Sequence, residues 1–142
     1  MKKTLINLTL AYIGALTLAH ESVAASAIEN YELSEQCSKR AEEDWKFRNQ
    51  DRPGLYGPGS YVRYENHYNV KFNKCYVIHF ITQPDGKGKT GHIDTLFDVN
   101  AHQEIASYIS MEGEAPIDCH ILKSKCHSKA EWDQLIRPYW EE

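Results

Sequence analysis

The side chains in this chain whose types allow chemistry are its four cysteines, Cys37, Cys75, Cys119 and Cys126, and six of its seven histidines, His67, His79, His92, His102, His120 and His127. An even set of cysteines in an oxidising compartment pairs into disulfides, here two, with three connectivities open. The competing chemistry is a metal site built from Cys119-His120 and Cys126-His127. Structural zinc sites bring their ligands in closely spaced cysteine pairs, and neither Cys37 nor Cys75 has a second ligand nearby, so no metal is expected. There is no Cys-x-x-Cys redox motif and no haem-attachment motif, and no cofactor is expected either.

Histidine titrates near neutrality and serves as acid, base or ligand. No His-Glu-x-x-His or serine-elbow pattern gives these histidines a partner, so most of them read as surface residues. Gly88-Lys89-Thr90 is similar to the end of a phosphate-binding loop, but Gln83 stands where the first glycine belongs and no helix follows.

The compartment is set by the first 25 residues. Lys2 and Lys3 precede the apolar run from Leu5 to Leu18, and Val23-Ala24-Ala25 offers small residues for cleavage, the pattern of a secretory signal peptide. The mature protein is expected to start at Ser26, or at Ile28 by a second small-x-small site. All four cysteines lie in the exported part. Residues 26–142 suit one domain with one modest core. Removing Lys2, Lys3 and Glu21 takes the chain's 16 Lys+Arg and 20 Asp+Glu to 14 and 19, a formal charge of −5. That mildly acidic balance has no polybasic patch for nucleic acid, and no second apolar stretch is long enough to span a membrane.

Several elements must position these residues. Leu33, Cys37, Ala41 and Trp45 recur every fourth residue, which predicts an amphipathic helix of three to four turns with Ser34 as its N-cap and Arg40, Asp44 and Arg48 beside the stripe. Asp51-Arg52-Pro53-Gly54 must end it, and Gly57-Pro58-Gly59 continues as loop. From Tyr61 the pattern alternates. With Asn73-Lys74 as a two-residue turn, a hairpin pairs Phe72 with Cys75, Val70 with Val77, Tyr68 with His79 and Asn66 with Ile81 on one core face. That register gathers Asn66, Tyr68 and His79 into a polar core cluster that would satisfy a buried imidazole.

The opposite face carries Tyr76, Ile78 and Phe80, either a recognition surface or a bed for the last helix, with burial favoured because Trp132, Leu135, Ile136, Tyr139 and Trp140 must also pack. Pro84 to Gly91 reads as a mobile loop. Ile93 to Val99 and Ile105 to Met111 read as a second hairpin of unfixed register, and Ile117 to Leu122 as a fifth strand. Ser128-Lys129-Ala130-Glu131 is a capping box opening a helix towards Pro138.

Packing the first helix on the hairpin's core face brings Cys37 to Cys75, which leaves Cys119 for Cys126. In the chain-entropy model the longer loop stabilises by about 4 kcal/mol and the shorter by about 2.5 kcal/mol.

The stretch from Tyr64 to Val77, the Leu96-Phe97-Asp98-Val99-Asn100 turn and the ending from Cys126 to Tyr139 resemble small exported bacterial proteins of unknown function. The resemblance covers most of the mature chain. It implies a bacterial source and one compact domain, and it carries over no functional residue.

The expected fold is therefore α+β: a mostly antiparallel sheet of four or five strands flanked by N- and C-terminal helices and held by two disulfides. Leader 1–25 and domain 26–142 make up the chain. The expected function is that of a periplasmic or secreted non-catalytic binding, inhibitor or accessory protein acting on a protein or cell-envelope partner. The alternative is a small exported hydrolase using His79 or His67.

Overall fold

The computed structural model describes residues 4–49 and 56–141, with side chains from Ser26 onward. The chain divides into two compact units, Met1–Leu33 and Ser34–Glu142. The first is helical from Thr4, within α1 (Thr4–Asn49). No helix among the described residues is long and apolar enough to cross a membrane.

The second unit holds the rest of the architecture. Six strands, β1 (Tyr61–Asn69), β2 (Lys74–Pro84), β3 (Thr90–Asp98), β4 (Gln103–Met111), β5 (Asp118–Ile121) and β6 (Ser124–Lys125), are followed by α2 (Lys129–Trp140). They form one sheet in the order β1-β2-β3-β4-β5-β6, antiparallel at every step. The α+β class and two flanking helices agree with the sequence reading, while the strand number is six rather than four or five. The two added residues of β6 form a small hairpin with β5, closed by the Cys119–Cys126 disulfide.

Ser34 does not cap a helix. Residues 26–33 contain neither Gly nor Pro, so nothing breaks the helix ahead of Ser34, whose carbonyl accepts from Ser38 Oγ at 3.1 Å. The expected breakers Asp51 to Gly54 lie outside the described residues.

The first hairpin also differs in register. Tyr68 pairs with Cys75, Asn66 with Val77 and Tyr64 with His79, so the loop is Val70–Asn73 rather than a two-residue turn. Asn73 takes a left-handed φ of 51°, a conformation asparagine tolerates, and Asn69 Oδ1 accepts the Phe72 N–H at 3.0 Å. The slip is four residues, an even number. Because strand side chains alternate with period two, the residues that remain in the strands keep their expected face while changing neighbours, whereas Val70 and Phe72, expected on the core face, leave the ladder for the loop and are each 41% exposed. The segment expected as a mobile loop is shorter than expected: Pro84, Thr90 and Gly91 belong to the β2–β3 ladder, and only Asp85 to Lys89 form the connecting loop, in which Asp85 Oδ1 gathers the N–H groups of Lys87 and Lys89.

Each sheet face has its own core. On one, Cys37 and Ala41 of α1 pack with Cys75, Val77, Phe97 and Val99, and the Cys37–Cys75 disulfide fastens helix to strand across a Cα separation of 5.2 Å. On the other, Trp132 and Ile136 of α2 cover Tyr76, Ile78, Leu96, Ala106 and Tyr108. Tyr76 and Ile78 are thus buried under the last helix, with Phe80 partly so. Ser128 caps α2 by accepting the Glu131 N–H, and the helix runs past the expected stop at Pro138 to Trp140. Its terminal carbonyls have a tertiary partner: Asn69 Nδ2 donates to Pro138 O and Tyr139 O, each at 3.2 Å.

Candidate functional site

Cys37, Ala41, Asp44 and Trp45 lie at helical spacing on the sheet-facing side of α1, so the stripe that anchors the helix also carries a carboxylate inward. Asp44 is buried. Arg48, one turn further on, donates from Nε to Asp44 Oδ2 at 2.7 Å and lays its guanidinium over the Phe97 ring at 4.1 Å. Two imidazoles approach the same carboxylate. His79 Nε2 is 3.9 Å from Oδ2 and His102 Nδ1 is 3.7 Å from Oδ1, both beyond hydrogen-bond distance.

The β3–β4 turn is held firmly opposite this helix. Asp98 Oδ1 accepts the Ala101 N–H at 3.0 Å, Asn100 Oδ1 accepts the Cys75 N–H at 3.2 Å, and Val99 N–H donates to Cys75 O at 3.0 Å. Lys74 pairs with the buried Asp98. His102, with a left-handed φ of 53°, closes the turn.

Between helix and turn opens a cleft of about 700 Å³, lined by Arg40, Glu43, Asp44, Phe47, Arg48, Val99, Asn100 and His102. Phe47 is 81% exposed at its rim. Arg40 is also exposed and has no ion-pair partner among the described residues. Asp44 and Arg48 neutralise one another, leaving Arg40, Glu43, Asn100 and His102 as polar contacts and Phe47 and Val99 as apolar ones. The described lining contains no hydroxyl or thiol that could act as a nucleophile. No group of three or more His, Cys, Asp or Glu among the described residues is arranged to hold a metal ion.

The expected cluster of Asn66, Tyr68 and His79 does not form, because the four-residue slip carries Tyr68 away from His79 to Cys75, and Asn66, still diagonal to His79, bonds elsewhere. Asn66 donates to Ser38 Oγ at 3.0 Å and Tyr68 to Asn73 Oδ1 at 2.7 Å. His79 instead meets Tyr64 across the strands, Trp45 edge-on at 4.8 Å and Phe97 at 5.0 Å. Its Nε2 is buried without a hydrogen-bond partner. Burial pushes its pKa down to about 4; Arg48 lowers it further while Asp44 opposes the shift. His67 lies on the opposite sheet face beside Trp140, at 5.6 Å.

The sequence reading placed Asp44 and Arg48 beside the helix stripe and left His102 in a turn, so it missed that they converge. The one available signal was the i,i+4 spacing of Asp44 and Arg48, a helix ion pair. Compared with known proteins, the chain matches no family model, no curated protein and no solved structure.

Proposed function

We propose that this chain is an exported protein whose disulfide-bonded domain serves as a non-catalytic binding, inhibitor or accessory module, with the cleft between α1 and the β3–β4 turn as its contact site. The observation that carries this reading is the cleft lining, where Phe47 stands 81% exposed and Arg40, two helical turns earlier on α1, has no ion-pair partner among the described residues. Aromatic and arginine side chains are enriched at the buried centres of protein interfaces, so an exposed phenylalanine and an arginine lining one cleft suit a contact site. Neither side chain contributes to either core. The two disulfides and the basic, apolar leader support export.

The hydrolase alternative has little support from the site. His79 is 6% exposed and does not line the cleft, and His67 packs against Trp140 on the far face. Nor does an acceptor with a pKa of about 4 serve well as a base at neutral pH.

The test is to express the chain in a bacterium with a photo-crosslinking phenylalanine analogue at position 47, and at exposed Glu65 as control, and to weigh the periplasmic product intact. The expected result is a protein without its leader, with both disulfides formed, and one discrete adduct from position 47 alone. A retained leader, no adduct, or equal adducts from both positions would overturn the reading.

A further inference from the structure

The sheet ends differently at its two edges. β6 is two residues long, and the Cys119–Cys126 disulfide ties the chain just beyond it back to β5. β1 is nine residues long, contains no proline or glycine, and pairs with β2 in unbroken register from Tyr61 to Asn69, with no bulge to twist it away. It is the first strand in the sheet order, and no described residue pairs with its outer side. Sheet edges are as a rule blunted by shortness, proline, bulges or charge, because a bare row of N–H and C=O groups is a template for another strand. Of these devices β1 has only charge.

The arrangement of that charge invites pairing with itself. Arg63 and Glu65 are exposed, pair with each other, and share the sheet face of Phe80, over whose ring the Arg63 guanidinium lies at 3.8 Å. In a two-fold antiparallel pair of identical strands each residue meets one on the same face, so the axis runs through a single residue. An axis at Glu65 overlaps the whole of β1 but sets Glu65 against Glu65, and an axis at Arg63 sets Arg63 against Arg63. At Asn66 it gives Arg63 no carboxylate, only Asn69. At Tyr64 it pairs Tyr61 with His67, Val62 with Asn66 and Arg63 with Glu65, so two ion pairs flank a central pair of tyrosines. Opposite charges facing each other across strands stabilise and like charges destabilise, which selects this last register.

We propose that two copies of this chain pair antiparallel through β1, centred on Tyr64, into one continuous sheet. Each Glu65 carboxylate then stands between its own Arg63 and the Arg63 of the second copy. α1 leaves room for this. It lies over β2, bonded to Cys75, with Trp45 against Tyr64 and His79, so the two α1 helices stand three strand spacings apart, about 14 Å. Helices touch at about 8–10 Å. A strand pair of this length buries less than a standard interface, which implies a weak dimer with a dissociation constant of about 10–100 µM. Below about 1 µM such a dimer is dissociated, so at low expression position 65 stays a valid crosslinking control for position 47. The cleft lies towards the β3–β4 turn and not at the β1 edge, so the pairing stands or falls independently of the function proposed for the cleft.

The test is sedimentation equilibrium of the oxidised, exported chain from about 2 to 500 µM. The expected result is a reversible monomer–dimer equilibrium that weakens with added salt. Glu65→Gln removes both ion pairs and should weaken the dimer about fivefold. Arg63→Glu and Glu65→Arg each set like charges opposite one another and should weaken it more than about tenfold. An equimolar mixture of those two variants should recover a heterodimer, because one strand then carries two carboxylates and the other two guanidinium groups, and that recovery also shows both variants folded. A monomer at every concentration, which leaves the edge to a different chain, would overturn the proposal. So would a tighter dimer in Glu65→Gln, which marks the axis at Glu65, undiminished pairing in the single variants, or no recovery in the mixture.

Discussion

His79 and Asp44 face each other beneath the cleft with Nε2 and Oδ2 3.9 Å apart, both side chains buried, and no hydrogen bond between them. Arg48 occupies the carboxylate instead, at 2.7 Å. The imidazole is thus left among Trp45, Tyr64 and Phe97, where its neutral form is favoured, while the ion pair beside it is complete without it.

That arrangement fixes a pH dependence. In the unfolded chain His79 titrates at its ordinary value of 6.5, and in the folded one at about 4. Between these values the unfolded state binds the extra proton, so stability rises with pH. The contribution is complete above pH 6.5 and is lost as the pH falls through 4, a total of about 3 kcal/mol. Urea denaturation at pH 7 and pH 4.5 should show the native protein losing more stability than His79→Gln over the same interval. Parallel losses would show that His79 is not held neutral.

The two disulfides should differ in weight. Cys37–Cys75 closes a separation of 38 residues and Cys119–Cys126 one of 7. Constraint of the unfolded chain grows with loop length, giving about 4 kcal/mol for the first and about 2.5 kcal/mol for the second. The first bridge also anchors α1 over Val77 and Phe97. Replacing Cys37 and Cys75 together by alanine should lower the denaturation midpoint more than replacing Cys119 and Cys126 together. The opposite order would mean that the short β5–β6 hairpin, not the helix anchor, limits stability.

At the start of α2, Ser128 accepts the Glu131 N–H at 3.2 Å and Glu131 Oε2 accepts the His127 N–H at 2.8 Å. Ser128→Ala removes the first of these and should cost about 1 kcal/mol, read as a lower melting temperature, while Ser128→Asp should recover most of it. Equal loss in both variants would place the effect outside the cap.

Local rules were readable along the chain and long-range ones were not. Ser128 and Glu131 declare a helix start because both partners sit within one turn, and Cys37 could be matched to Cys75 because face assignment needs only periodicity. Face survives an even slip in register, which is why Cys75 and Val77 stayed on the α1 side although their partners moved by four residues. Neighbour identity does not survive it, so Tyr68 was put where Tyr64 stands against His79. The cleft was out of reach for another reason. Asp44 and Phe47 meet Val99 to His102 only after β1, β2 and β3 are stacked in order, and nothing in the intervening sequence records that closure.

Asn69 carries the last prediction, because one fully buried amide joins the β1–β2 turn to the end of α2. Its Oδ1 accepts the Phe72 N–H, and its Nδ2 donates to the carbonyls of Pro138 and Tyr139, which the helix itself leaves unpaired. Asn69→Ala strands one donor and two acceptors around a small void and should cost about 3 kcal/mol. Asn69→Asp keeps the turn acceptor and loses the donors to α2, so it should separate the two functions: hydrogen exchange should quicken at the end of α2, from about Arg137 onward, while the Phe72 amide stays protected. Quickened exchange at Phe72 with α2 unchanged would show that Asn69 serves the turn alone.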